Sequence, residues 1–475
     1  MTLLAFIDKM IWILKRKIEL EEEVSIDMID MTKGSPTKLI LSFMIPIFIG
    51  NLFQQFYSMV DTAIVGQFVG VGALAAVGST GGVLFLVQGF VNGLTHGFSV
   101  IVSQRYGAND QEGIKKATAT AIYLSAIATV LLTFICTLGA KPILQLMNTP
   151  VDIIDDATLY VTIFFGGLVT IIVYNLLASL LRAFGDSKTP LYFLILASIT
   201  NIILDLVLII NFKMGVAGAA LATVASQGLS GFLCYVYILK KFDILKLKKE
   251  HFKYDKFLVK ELMYISLPMA LQYSITAIGV MILQVAVNGF GSTTVAAYTA
   301  ASKVEQLVIQ PGIALGMTMA TYSAQNLGAH QIERIRLGVR KCTLITLIVN
   351  ALSGALVVLL GSYIVQLFIP AENIEALPLS QQYLNTVAIF FPILGLLFLY
   401  RFTLQGVGNT VVPMFAGVME LIMRTLVAFT LPGLLGYQGV CFASPFAWIG
   451  ATVWLLWSYF RTMPRLEEKY KLSVE

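Results

Sequence analysis

The feature that most constrains this chain is a series of long runs with almost no charge. Crossing the hydrocarbon layer of a bilayer takes about 20 consecutive, mostly apolar residues in a helix. Twelve such runs are present, near 39-65, 73-103, 117-140, 158-183, 190-211, 215-240, 261-290, 294-320, 338-361, 382-406, 412-433 and 438-460. Hydrophobic residues make up 57% of the 475 and charged residues 12%, at a mean hydropathy of +0.82. Soluble domains carry roughly 45–50% apolar and about 25% charged residues. Lipid offers a backbone N–H or C=O no partner, so runs of this length must be helical. An all-α, polytopic membrane protein is expected.

Charge sets the topology. Of the 32 Lys and Arg, a cytoplasmic N-terminus places 28 on the inner side and only Lys141 and Lys213 outside, with Lys303 and Arg424 inside spans. That asymmetry is the positive-inside pattern and supports twelve spans with both termini cytoplasmic, in a cell membrane. The formal charge of +5 is spread over loops facing lipid headgroups and forms no nucleic-acid face. Cys136, Cys234, Cys342 and Cys441 stand singly in apolar runs, and the three histidines form no HxxxH or HExxH pattern. Neither a redox nor a catalytic metal site is expected. The opening MTLLAFIDKMIWILKRK has its bases after its apolar part, interrupted by Asp8 and Lys9, so it is no convincing export signal. Its apolar residues recur at helical spacing, which suits a helix lying on the membrane surface. The alternative is that it is accessory and that the working chain starts near Met31.

The two halves repeat. SQRYGANDQEGIKK from Ser103 aligns without gaps with AQNLGAHQIERIRL from Ala324, and LRAFGDSKTP from Leu181 aligns with LQGVGNTVVP from Leu404. Pro46 of span 1 has a counterpart in Pro268 of span 7. The offsets, 221 to 223 residues, nearly agree. A duplicated six-span unit follows, and an even number of spans gives both copies one orientation. Expected are an extension over 1-38, a first lobe over 39-240, a basic cytoplasmic linker over 241-260, a second lobe over 261-460 and a tail over 461-475, the lobes related by a pseudo-twofold axis along the membrane normal.

Polar residues inside spans are costly and mark function or pairing. Span 5 carries Asn201 and Asp205, four apart and so on one helix face. At a helical rise of 1.5 Å, Asp205 lies about 22 Å from Pro190 at the inner end, and Thr223 lies about 12 Å below Gly215. Asp61, five residues before Gly66, reaches a similar depth in span 1. An acid so close to the end of a span either reaches water or stays inside and binds something. Two carboxylates, an amide and a hydroxyl at one level suit either sodium, through hard oxygen ligands, or a proton held between neighbouring acids. Hydrogen bonding between helices is the alternative for Asn201 and Thr223. In the second half, Glu420 and Arg424 are four apart and expected to pair. Lys303 and Glu305, two apart, do not face each other, so one must reach another span. Arg401 is expected to snorkel to the inner interface. With Gln54, Tyr57 and Gln284, the residues Lys303, Glu305, Glu420 and Arg424 are candidates for lining a substrate cavity.

With VDTAIVG in span 1, the SQRYGA and AQNLGA loops, R182-AFGDSKTP190 and NIILD in span 5, the chain resembles the multidrug and toxic compound extrusion (MATE) family over about residues 35 to 460. The resemblance implies twelve helices in two lobes and export of organic cations, drugs or other toxic compounds in exchange for protons or sodium, with no prosthetic cofactor. It also implies a cation site on Asp61, Asn201, Asp205 and Thr223, the set already grouped by depth. Members with acids in helices 7, 8 and 10 use another site, and here span 7 has none within its membrane portion and span 10 none at all. A single chain in contact with lipid is the expected working unit. The alternative is a flippase of lipid-linked precursors with the same two-lobe plan, which would need more cavity bases than Lys303 and Arg424. A membrane-embedded enzyme lacks a nucleophile or metal motif, and a channel gains nothing from duplicated halves.

Overall fold

The computed structural model describes residues 29–147, 149–366 and 375–471, so the proposed surface helix lies outside the described residues. The helices follow the spans and take their numbers. The first lobe comprises α1 (Pro36–Phe68), α2 (Val71–Gly107), α3 (Gln111–Leu146), α4a and α4b (Ile154–Gly166 and Leu168–Ala183), α5 (Lys188–Leu206) and α6 (Gly215–Lys241). The second comprises α7 (Lys256–Asn288), α8a and α8b (Ser292–Val308 and Gln310–Gly328), α9 (Ile332–Val365), α10 (Ala376–Gly406), α11 (Val411–Thr430), and α12a and α12b (Tyr437–Cys441 and Ala443–Lys471).

Among the described residues, ten helices are long and apolar enough to cross a bilayer, and the α4 pair, bent by 48° at Gly167, makes an eleventh. The eighth span falls short on composition. Its first half carries Lys303 and Glu305, and the turn at Ile309 is followed by Pro311, which lacks the N–H needed to continue the ladder. Several starts are set by local chemistry. Pro36 opens α1, where its missing N–H costs nothing. The Asp186 carboxylate accepts from the Lys188 and Thr189 N–H groups at 3.1 and 2.9 Å and so caps α5.

The duplication is written into the backbone. Left-handed residues recur as pairs: Gly70 (φ 117°) with Gly291 (89°), Asn109 (56°) with His330 (59°), Gly185 (86°) with Gly408 (83°) and Gly215 (57°) with Gly436 (58°). Asn109 and His330 pay the cost of that conformation at the same turn of each copy, although neither is glycine.

The lobes meet along α2 and α7. Gly89, Gly93 and Gly97, spaced one turn apart, form a smooth stripe on α2 that lets the backbones touch, the packing small residues permit in lipid. A Cβ at Gly93 would stand 2.6 Å from Ala270 Cα, and one at Gly97 would fall on Ser266. Farther along the same face the helices diverge: Gly82 meets only the tips of Met281 and Met147, and nothing lies within 4 Å of Gly78. Hydrophobic cores tell the same story. Ile40, Phe43 and Ile47 of α1 are packed into the second lobe, and Leu262, Ile265 and Met269 of α7 into the first, all at the linker end. The remaining large cluster, around Ile64, Val65, Phe164 and Phe165, belongs to the first lobe alone. The molecule is therefore closed at the linker end and splayed at the other.

Gly97→Leu is expected to lower the stability of the purified protein by about 1–3 kcal/mol, the usual cost of overpacking. Gly78→Leu, on the same face but in open space, should leave it within about 0.5 kcal/mol. Thermal unfolding in one detergent checks both, and equal melting temperatures would contradict the seam.

Candidate functional site

Asp61 is 8% exposed, seven residues before the end of α1, so it lies within the protein and not at a wetted helix end. Its carboxyl is within hydrogen-bonding reach of that of Asp205, which is fully buried on α5. Oriented to suit its neighbours, the Asn201 amide donates to Asp205 Oδ2 at 3.3 Å and accepts from the Thr223 N–H at 3.3 Å. The Thr223 hydroxyl donates to the Ala219 carbonyl at 3.1 Å, which leaves its oxygen lone pairs free. The structure thus brings together the four residues that depth had grouped, from α1, α5 and α6. Immediately after Asp205 the helix widens into a π turn over Val207–Asn211, a local distortion often found at functional sites.

Two oxygens stand out. Asp61 Oδ1 and Asp205 Oδ1 are buried without a hydrogen-bond partner among the described residues, and neither acid is paired with a base. Orphaned carboxylate oxygens are expensive in a low-dielectric interior. Together with the Thr223 hydroxyl they form an oxygen-rich, hard donor set, which fits a proton or a sodium ion and does not fit a soft metal. Among the described residues no cluster of three His, Cys, Asp or Glu is present that would hold a tightly bound metal. Two further side chains border the site that depth did not select. Tyr57, expected only as a cavity residue, lies one turn before Asp61 with its hydroxyl close to Gln227 of α6, and Tyr160 of α4a is buried beside the acids. Aromatic residues in an apolar helix give no sign in the sequence that they face an acid.

The remaining candidates are dispersed. Gln54 and Lys303 are exposed, and Gln284 donates to Asn288 Oδ1 at 2.9 Å on its own helix. Glu305 accepts from the Tyr383 hydroxyl of α10 at 2.7 Å, so it does reach another span, as its spacing from Lys303 requires. Tyr383 in turn packs edge-on against Tyr298, with centroids 5.1 Å apart.

One expectation is corrected and another is extended. Arg401 does not snorkel: it is 4% exposed and makes a very short hydrogen bond to Glu420. Glu420 keeps the expected ion pair with Arg424, one turn away at 3.9 Å, and adds a partner across helices in Arg401. The reason is packing. Arg401 lies in the α10 segment from Leu399 to Gly406, which is buried throughout, so its head cannot reach the interface. Gly279 of α7 leaves room for Arg424, whose Nε and Nη1 lack partners among the described residues. Position along the chain identifies Arg401 as near a span end but says nothing about what surrounds it.

Removing one member of a buried charged group costs about 3–5 kcal/mol. Glu420→Gln, which strands two arginines, is expected to fall in that range, whereas Glu305→Gln, which keeps its hydrogen bond to Tyr383, should cost about 1 kcal/mol. Unfolding of the two purified variants side by side tests the difference, and a reversed order would refute the pairing.

The profile of the MatE family matches the chain twice, over residues 46–207 and 268–430, once in each lobe. The chain is 31% identical over 350 residues to the probable multidrug resistance protein YoeA of Bacillus subtilis, covering 72% of this chain and 75% of that one. It is 28% identical over 411 residues to YpnP, another probable multidrug resistance protein of the same bacterium, covering 84% and 87% respectively. Among solved structures, a multidrug resistance MATE transporter in an outward-facing conformation superposes with a TM-score of 0.85 at 23% identity, over 94% of this chain and 100% of that one.

Proposed function

The chain belongs to the MatE family of multidrug and toxic compound extrusion transporters, and from that premise we propose that it is a secondary antiporter that exports small organic cations, drugs among them, in exchange for protons or sodium. The observation that carries this reading is the pair of buried, unpartnered oxygens on Asp61 and Asp205. Two carboxylates within hydrogen-bonding reach repel strongly where the dielectric is low. A cation between them, either a proton on one acid or a sodium ion shared with the Thr223 hydroxyl, removes the repulsion. Loading therefore draws α1 toward α5, and unloading lets them part.

That difference is what coupling needs. A ligand shifts a conformational equilibrium only by its differential affinity for the two states. Moving it from mostly one state to mostly the other takes a preference of roughly 10⁴-fold. In an exchanger the cation and the exported compound must favour different states. The splayed end of the present conformation leads between the lobes, with α1, bearing Gln54 and Tyr57, on one side and α7 and α8a on the other. The net charge of the half-buried Glu305 and the buried Glu420, Arg401 and Arg424 is zero, so Asp61 and Asp205, which face no base, carry uncompensated negative charge. A cationic substrate and the coupling cation then compete for the same electrostatic field, from opposite sides of the membrane.

Asp61→Asn and Asp205→Asn are expected each to abolish gradient-driven efflux of a cationic dye from reconstituted vesicles while leaving the protein folded and monodisperse. Thr223→Ala should reduce it by about ten-fold if sodium is the coupling ion, through loss of one ligand, and leave it nearly unchanged if the proton is. Sodium and pH gradients imposed separately identify the ion. Unimpaired coupled efflux in both aspartate variants would overturn the proposal.

A further inference from the structure

At the closed, linker-side end the two lobes are joined by a pair of reciprocal hydrogen bonds. Gln104, near the end of α2 in the first lobe, donates through Nε2 to the Gly406 carbonyl at 3.0 Å in the second. Gln325, near the end of α8b in the second lobe, donates through Nε2 to the Ala183 carbonyl at 2.8 Å in the first. Gln104 and Gln325 are equivalent positions of the duplicated SQRYGA and AQNLGA motifs, and Ala183 and Gly406 are equivalent positions of the LRAFGD and LQGVGN motifs. The two bonds are one interaction repeated across the pseudo-twofold axis, as at an isologous interface.

We propose that Gln104 and Gln325 form a crossed latch that sets how long this end of the transporter stays shut. The acceptors are the carbonyls of the last residues of α4b and α10. Carbonyls in the last turn of a helix have no intrahelical partner and must find one elsewhere. Each glutamine supplies it from the opposite lobe, so the caps exist only while the lobes touch. Gly107 and Gly328, also equivalent, let the approach happen: a Cβ at either would collide with the backbone oxygen of Gln325 or Gln104. The donors are neutral amides, so opening the end wets them without stranding a buried charge. The segment before α1 is tied into the same joint. Ile29 N–H donates to the Gly185 carbonyl at 3.2 Å, Met31 N–H donates to Gln325 Oε1 at 3.0 Å, and the Met31 carbonyl accepts from Asn326 Nδ2 at 3.0 Å. Residues 29 to 31 therefore bridge both lobes.

The inference rests on the alternating-access reading above, and its test separates the two. In a background with the four cysteines replaced, Ser266→Cys reports on the linker-side seam and Gly78→Cys on the splayed end; impermeant maleimides are applied from each side of oriented vesicles. Loss of one hydrogen bond is worth roughly a two- to ten-fold change in population. Gln104→Leu and Gln325→Leu are each expected to raise the modification rate at position 266 by that factor and to lower the rate at 78. The double variant should exceed either single one. Rates that stay unchanged at both positions, or that rise at both as in general loosening, would overturn the latch. Position 266 and 78 rates that do not respond to imposed gradients and dye even with both glutamines present would overturn alternating access itself. A response with the glutamines present that is matched in the double variant would overturn the latch alone. Should the double variant fail to fold, the two single variants still decide.

Discussion

Hydrocarbon offers no hydrogen bonds, and that one constraint organises the molecule. Each polar group in a span must find a partner within the protein or be held unpaired for a purpose. Most Ser and Thr side chains in these helices meet the demand locally by donating to a carbonyl three or four residues back, as Thr95, Ser198 and Thr318 do. The second lobe meets it across helices, setting Glu305 on Tyr383 and Glu420 on Arg401. Among the described residues, only at Asp61 and Asp205 does the first lobe leave two acids facing each other with an open oxygen apiece. The lobes share one architecture and differ in how their charges are settled.

The same solvent logic explains the seam. Lipid is as apolar as leucine, so helices associate through close packing and polar contacts. The glycine stripe of α2 supplies the packing against α7, and the glutamine caps supply polar contacts at one end only. A contact confined to one end can act as a hinge point. The proposed coupling site, on α1, α5 and α6, adjoins this seam through α1, whose linker-side half is packed in the second lobe while Ile64 and Val65 near its other end belong to the first. In the proposed mechanism, a cation that draws α1 toward α5 acts on a helix that both lobes hold.

Much of this was legible in the sequence because it follows from spacing. Apolar runs give spans, the gapless repeat of SQRYGA in AQNLGA gives duplication, and counting residues at 1.5 Å each brings Asp61, Asn201, Asp205 and Thr223 to one level. Depth along an axis is additive in residue number, so it survives without coordinates. Rotation about the axis, and the identity of the neighbouring helix, are not. That is why the pairing of Glu420 with Arg424 on its own helix is legible while its second partner, Arg401 on another, is not, and why Tyr57, Tyr160 and Tyr383 give no sign of facing acids. The stripe Gly89, Gly93 and Gly97 was equally visible as letters, but small residues become a seam only when a second helix is known to lie on them.

The sequence by itself determined the class of the protein, the number and repetition of its spans, and the height of its buried acids, because each depends on the periodicity of one helix and the thickness of a bilayer. The tertiary structure alone decided which charges are neutralised and which are left open, and at which end the lobes touch. Those outcomes depend on contacts between different helices, from Arg401 with Glu420, 19 positions apart, to Gln325 with Ala183 and Gln104 with Gly406, 142 and 302 apart, and no local pattern encodes a distance that only the packing of the helices creates.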